Sequence, residues 1–241
     1  MLIEDLGRKT SVPFEILVWL NCEDHVFEAS LRALATDGMP VHIVGKTPEN
    51  IGMRAYSLLF QRAKYDMIVQ IDDDVIAVSR NIAEQADVIF RKFPLVRQLV
   101  ADVWQDNFTT GARPPMSAYR VYQQHYGLYD GPIDGWFSVF HRSVLPLVLD
   151  LQSEYLPLGG LLKNRLRGQG KLGLLCTQFK VFHVIGPEYA SYFDMLEFEI
   201  NKYRRLGRTD IVDWYVGEKH RLPLRDELHI RVEGILQQLL V

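Results

Sequence analysis

The sequence predicts an α/β fold, with a mainly parallel central sheet flanked by helices and a helical C-terminal appendage. Three observations carry this expectation. Short apolar runs rich in β-branched residues alternate with stretches whose apolar residues recur every three or four positions, in the order strand, helix, strand, helix, strand over residues 14–71. With 241 residues, 48% of them hydrophobic, the chain can fill one large core. Beyond residue 186 the strand-like runs stop and helical periodicity takes over.

"FEILVWL" (14–20) is apolar and β-branched enough for a buried strand. Phe27, Leu31 and Leu34 then share a helical face, with Asp24 placed as N-cap and Gly38 and Pro40 as a stop. "VHIV" (41–44) is a second strand, and "KTPEN" is turn chemistry. Met53, Tyr56 and Phe60 mark a helix, and "MIVQI" (67–71) a third strand. Ser79 is placed to cap a helix that buries Ile82, Ala86, Ile89 and Phe93, before a strand at 95–103.

Residues 104–136 are an aromatic-rich insertion, too long for an idle connector. "WFSVFHRSVLPLVLD" resumes with a strand and a short helix. "LGGLLKNRLRGQG" is a helix closed by Gly170, and "KLGLL" and "QFKVFHV" are two β pieces. In the tail, Phe193, Leu196, Ile200 and Tyr203 form one helical stripe, and Leu224, Leu228, Ile235 and Leu239 another. The expected organisation is a catalytic unit over 12–186, with a first half to 103 and a second from 104, and a helical extension over 187–241 within the same structural unit.

A formal charge of −3 argues against a nucleic-acid partner. Cys22 and Cys176 lack metal-ligand spacing and read as two reduced thiols. The N-terminus is polar, and no apolar run approaches the ~20 residues that cross a bilayer. The expected location is the cytoplasm, with peripheral contact at a membrane left open.

Asp72, Asp73 and Asp74 stand at the carboxyl end of the third strand, where ligands bind in such sheets. Adjacent carboxylates repel unless a cation or donors hold them. Along an extended backbone Asp72 and Asp74 face one side and Asp73 the other. That pair suits Mg²⁺ or Mn²⁺, bridging to a diphosphate and stabilising it as a leaving group.

"PENIGMRAYSLLFQRAKYDMIVQIDDDV" resembles the nucleotide-sugar half of GT-A fold glycosyltransferases, above all the large family 2. In those enzymes an Asn-x-Gly segment opens a helix that leads into the strand bearing an Asp-x-Asp motif. "DGWFSVFHRSVL" and "LLKNRLRGQGKLGLLCTQFKVFHVIG" resemble two later blocks of the same fold, so the likeness spans residues 14–186 in patches. The resemblance implies a hexosyltransferase-type enzyme using a UDP- or GDP-sugar and a saccharide or other hydroxyl acceptor. It implies donor contacts from Asn50, Arg54, Asp72 and Asp73, and metal ligation by Asp72, Asp74 and His183.

One departure matters. Family 2 enzymes carry an acidic pair before the Arg-containing helix, whose carboxylate deprotonates the acceptor. Here Leu158, Gly159 and Gly160 stand in its place. Asp134 and Glu154 are the nearest alternatives, and the vacancy favours retention at the anomeric carbon, where the departing diphosphate takes the proton. The acidic cluster that follows the second strand in the family is replaced by Lys46, which leaves the nucleobase open.

Trp104, Tyr129 and Trp136 are acceptor candidates, because aromatic faces stack on sugars. Arg204, Arg205 and Arg208 read as cations at a helix C-terminus rather than phosphate ligands. The tail also offers a surface for a homo-oligomer. Three rival readings are weaker. A haloacid dehalogenase-like phosphatase lacks its later acidic pair, and a nucleotidyltransferase lacks its Gly-rich loop after the first strand. A degenerate sugar- or nucleotide-binding domain is kept open by the missing carboxylate.

Overall fold

The computed structural model describes residues 2–108, 113–150 and 158–240. A helix α1 (Leu2–Lys9) opens the chain, where the sequence reads as a polar leader. Its Leu2 and Leu6 pack on the main core, and Lys9 Nζ donates to the Val78 carbonyl at 2.6 Å. Then follow β1 (Ile16–Leu20), α2 (His25–Thr36), β2 (Val41–Lys46), α3 (Met53–Arg62) and β3 (Met67–Ile71). Asp24 caps α2 as expected, its side chain accepting from the Phe27 N–H. β1 and β2 form a parallel pair, so the predicted strand–helix–strand unit is present.

The remaining strands are β4 (Val75–Val78), β5 (Val96–Val103), β6 (Arg120–Gln123), β7 (Leu128–Asp130), β8 (Phe137–His141) and β9 (Leu172–His183). Between β4 and β5 lies α4 (Ile82–Lys92), and between β8 and β9 lie α5 (Leu145–Leu149) and α6 (Gly160–Gly168). Apart from the two-stranded sheet β1-β2, a seven-stranded sheet has the order β3-β8-β5-β9-β7-β6, with β4 pairing to β9. β3, β5 and β9 share one direction, and β8 is inserted antiparallel between β3 and β5. β7 and β6 continue antiparallel beyond β9, so these two strands of the aromatic insertion form a sheet edge.

Two sequence expectations are corrected. Ser79 does not cap α4, which begins after Asn81 in the left-handed conformation. The Ser79 hydroxyl instead accepts from the Lys180 N–H, because β4 intervenes as an extra strand on β9. The two β pieces at 171–184 are one twelve-residue strand, with a register shift between Ala101 and Asp102 of β5 marking the predicted break.

The tail comprises α7 (Pro187–Tyr192), α8 (Leu196–Arg205), α9 (Thr209–Glu218) and α10 (Arg225–Leu240). Its buried Tyr189, Leu196, Ile200, Tyr215, Val232 and Ile235 share one cluster with Ala77 of β4 and Phe182 of β9. Leu224, expected on the second stripe, is exposed. Arg231 reaches Asp106 at 3.4 Å and covers the Phe108 ring, tying α10 to the segment after β5. Gly186, at φ +94, enters α7 where a Cβ would strike the Phe108 carbonyl. Cys22 is exposed and Cys176 buried. No helix among the described residues is long and apolar enough to cross a membrane.

Candidate active site

The site is built at the end of β3. The Asp72 N–H donates to the Trp136 carbonyl at 3.0 Å, which fixes the start of the acidic turn against β8. The Val75 N–H returns to the Asp72 carbonyl at 3.2 Å, closing the turn into β4. β4 then runs antiparallel to β9 with Val75 opposite His183, and the Val184 N–H donates to the Asp74 carbonyl at 2.9 Å. This register carries His183 to the aspartates, although the two are remote in sequence.

Asp74 is buried, Asp72 half-buried and Asp73 exposed, the alternation expected of an extended backbone. Ligand atoms of Asp72, Asp74 and His183 all lie within 4.8 Å of one another. Asp74 Oδ1 sits 2.7 Å from His183 Nε2, yet no hydrogen bond of normal geometry reaches that buried oxygen. Neighbouring ligands on an octahedral ion with bonds of about 2.1 Å lie about 3 Å apart. The Asp74–His183 distance matches that spacing, and two carboxylates with an imidazole are the donor types that hold a hard dication.

The surroundings tune these groups. Burial, and then the charge of Asp74, push the Asp72 carboxyl up to about 7. Gln70 Nε2 donates to Asp72 Oδ1 at 2.6 Å, and the Tyr56 hydroxyl lies 3.4 Å from the same oxygen. Burial acts to raise Asp74 as well, but His183 and Lys202 outweigh it and hold that carboxyl below the ordinary range. The Trp136 ring packs beside His183 at 6.4 Å between centroids, and its indole N–H donates to the Ala101 carbonyl at 2.9 Å. His183 Nδ1 is buried without a hydrogen-bond partner, so packing rather than a second hydrogen bond orients the ring.

Other predicted residues are placed as follows. Asn50 is exposed and its Oδ1 accepts from the Gly52 N–H at 2.7 Å, shaping the turn into α3. Arg54 is exposed on the first turn of α3, and neither it nor Asn50 bonds to the aspartates. Asp134 is exposed and accepts from its neighbour Gly135. Its backbone lies against Gly159, where a Cβ would stand 2.6 Å from the Asp134 Cα. Glu154 lies outside the described residues.

The three acceptor aromatics are not brought together. Trp136 is buried in the main core, Trp104 packs on the tail cluster under Lys180 Nζ at 5.5 Å, and Tyr129 is half-buried on β7. Arg204 and Arg208 pair with Asn201 and Asp210 on the surface.

Three contributors escape the sequence reading. Gln70 leaves a trace, as a polar residue on the buried face of an apolar strand. Tyr56 reads as core and is half-buried with its hydroxyl at Asp72. Lys202 on α8 leaves none, although its Nζ stands 4.0 Å from Asp74 Oδ2.

No protein-family model matches the chain, and no curated protein matches it. Solved structures do. A mannosyltransferase, PcManGT from Pyrobaculum calidifontis, in complex with GDP-Man and Mn²⁺, superposes with a TM-score of 0.56 at 15% identity over 85% of this chain. GalNAc-T7 with UDP, GalNAc and Mn²⁺ superposes at 0.55 and 13% identity over 77% of it. This chain has the GT-A fold. It spans 59% and 40% of the lengths of those two proteins. At such identities the likeness speaks for the fold, and the acidic turn and His183 must speak for the chemistry.

Proposed function

We propose that the chain is a metal-dependent glycosyltransferase that moves a sugar from a UDP- or GDP-sugar to a hydroxyl acceptor. The observation that carries this reading is the triad of Asp72, Asp74 and His183, converged at the end of β3 with an unsatisfied carboxylate oxygen at its centre. The two superposed enzymes were solved with Mn²⁺ and a nucleotide or nucleotide sugar, which supports the same reading and favours Mn²⁺ over Mg²⁺. A degenerate binding domain would not need Asp72, Asp74 and His183 to converge in this way.

In this reading Asp72, Asp74 and His183 hold the dication, which when bound neutralises charge on the departing diphosphate. Gln70 and Tyr56 orient the Asp72 carboxylate. Asp73 and the segment around Asn50 and Arg54 face the donor. Leu158 is buried and Gly159 is packed against the Asp134 backbone, so residues 158–160 bring no base to the site. We therefore assign retention at the anomeric carbon, with the acceptor proton passing to the diphosphate and Asp134 binding the acceptor. The acceptor class, the cytoplasmic location and self-association through the tail stay proposals of the sequence.

Calorimetric titration with UDP, GDP, CDP and ADP, with and without Mn²⁺, tests the reading. Binding of one nucleotide that needs Mn²⁺ and is lost in a folded Asp74→Ala variant is expected. A well-folded wild type that binds none of the four under either condition would sink it.

A further inference from the structure

We propose that Lys202 on α8 is the cation that grips the diphosphate of the donor, and that Glu199 is the residue that positions it. The inference rests on the donor-site reading above. Both residues belong to the helical tail, which the sequence reading treats as appended to the catalytic unit.

Lys202 Nζ lies 2.8 Å from Glu199 Oε1, a helical i,i+3 pair, and 4.0 Å from Asp74 Oδ2. Glu199 is buried, at 2% exposure, and a carboxylate is kept out of water only where a cation or donors replace its hydration. The Lys202 ammonium does so from one side. The Lys202 side chain keeps 32% of its surface exposed, so it is not sealed within the core. The Tyr203 ring lies under the ammonium at 5.0 Å and limits where it can swing.

The pairing pattern is what points to a ligand. An ammonium has three N–H donors, and one is taken by Glu199. At 4.0 Å, Asp74 attracts Lys202 but is not hydrogen-bonded to it. Donors therefore remain on a head group that stands 4.0 Å from a residue of the metal triad. When the bond between the anomeric carbon and the β-phosphate oxygen breaks, its electron pair stays on that oxygen and the diphosphate gains one negative charge. A fixed ammonium there favours the separated diphosphate over the intact donor. Glu199 itself touches no phosphate and acts through Lys202.

Titrations with Mn²⁺ alone, and with UDP, UMP, GDP and GMP in the presence of Mn²⁺, test this in the wild type and in Lys202→Met, Lys202→Arg and Glu199→Gln. Circular dichroism checks each fold. Lys202→Met is expected to weaken the diphosphate about tenfold and the monophosphate far less, the size of one lost charge-assisted hydrogen bond. Mn²⁺ alone should bind the variant as tightly as the wild type or more so, because a repelling cation has gone. Lys202→Arg should recover most of the diphosphate affinity. Glu199→Gln should show the same diphosphate-selective loss in smaller measure, and it decides the matter if Lys202→Met does not fold. An unchanged ratio of diphosphate to monophosphate affinity, in a protein whose binding is still lost on Asp74→Ala, overturns the role of Lys202 and leaves the donor-site reading standing. A wild type that binds neither Mn²⁺ nor any of the nucleotides overturns both.

Discussion

The backbone N–H of Asp72 donates to the carbonyl of Trp136 at 3.0 Å, so the residue that opens the acidic turn is pinned by the residue whose ring packs beside His183. Trp136 thus serves the site from behind. Trp136→Phe keeps most of the bulk but removes the indole donor from the Ala101 carbonyl, for an expected cost of about 1–3 kcal/mol. Denaturant unfolding should show that loss, and Mn²⁺ affinity should fall with it because the His183 ring loses part of its wall. Wild-type stability in the variant would contradict this account.

Gly159 is glycine for steric reasons. Its φ of −94 suits any residue, but a Cβ there would meet the Ile133 carbonyl and the Asp134 Cα at 2.7 and 2.6 Å, both backbone atoms that cannot swing aside. Gly159→Ala is expected to destabilise the protein by about 1–3 kcal/mol, the usual cost of overpacking. Thermal melting reads this directly, and Gly160→Ala, with only a 4.0 Å contact, is the control.

Asp130 accepts from the buried Lys163 at 2.5 Å and from Arg167 at 3.0 Å. Burial acts to raise its carboxyl, but Lys163 and Arg167 outweigh that and hold it below the ordinary value of 3.8. A depressed folded pKa means stability that is present above the unfolded value and lost as pH falls through the folded one. Asp130→Asn should therefore flatten the acid limb of the stability curve below about pH 4. At neutral pH it should cost about 1–3 kcal/mol, because the buried Lys163 exchanges a charged acceptor for a neutral amide oxygen beside the Gly131 carbonyl.

Most of the strands and the acidic turn were legible because they rest on local pattern. Asp24 caps its helix, "MIVQI" is a strand, and the Asp72–Asp74 alternation follows from the backbone alone. Pairing was not legible. Four apolar residues, Val75–Val78, lie between the aspartates and Ser79 with no element of their own in the sequence pattern, and become a strand only because β9 is present to bind them; β8 gives no sign of running antiparallel. Trp136 looks like a sugar platform in an aromatic-rich segment, and only the position of Ala101 shows its indole to be committed inward. Lys202 is the extreme case, since neither its helix nor its neighbours in sequence point toward Asp74.

Asp134 separates the two stereochemical outcomes. In a retaining enzyme Asp134→Asn should raise the acceptor KM and leave kcat within about tenfold, while loss of a general base would cut kcat by about 10²–10⁴. Steady-state kinetics and NMR of the first-formed anomer together decide, and an inverted product with a collapsed kcat would assign the proton to Asp134.

β9 is a single strand whose early residues pair with β5 and β7 and whose last residues pair with β5 and β4, ending in His183. A ligand set assembled across such a strand exists only once the long-range pairings have closed. An unfolded or half-folded chain offers a dication scattered carboxylates but no triad. Any ion the triad binds therefore favours the folded state by mass action, by about 1.4 kcal/mol for each tenfold rise in free metal above its dissociation constant. A metal bound there and the fold would hold each other in place.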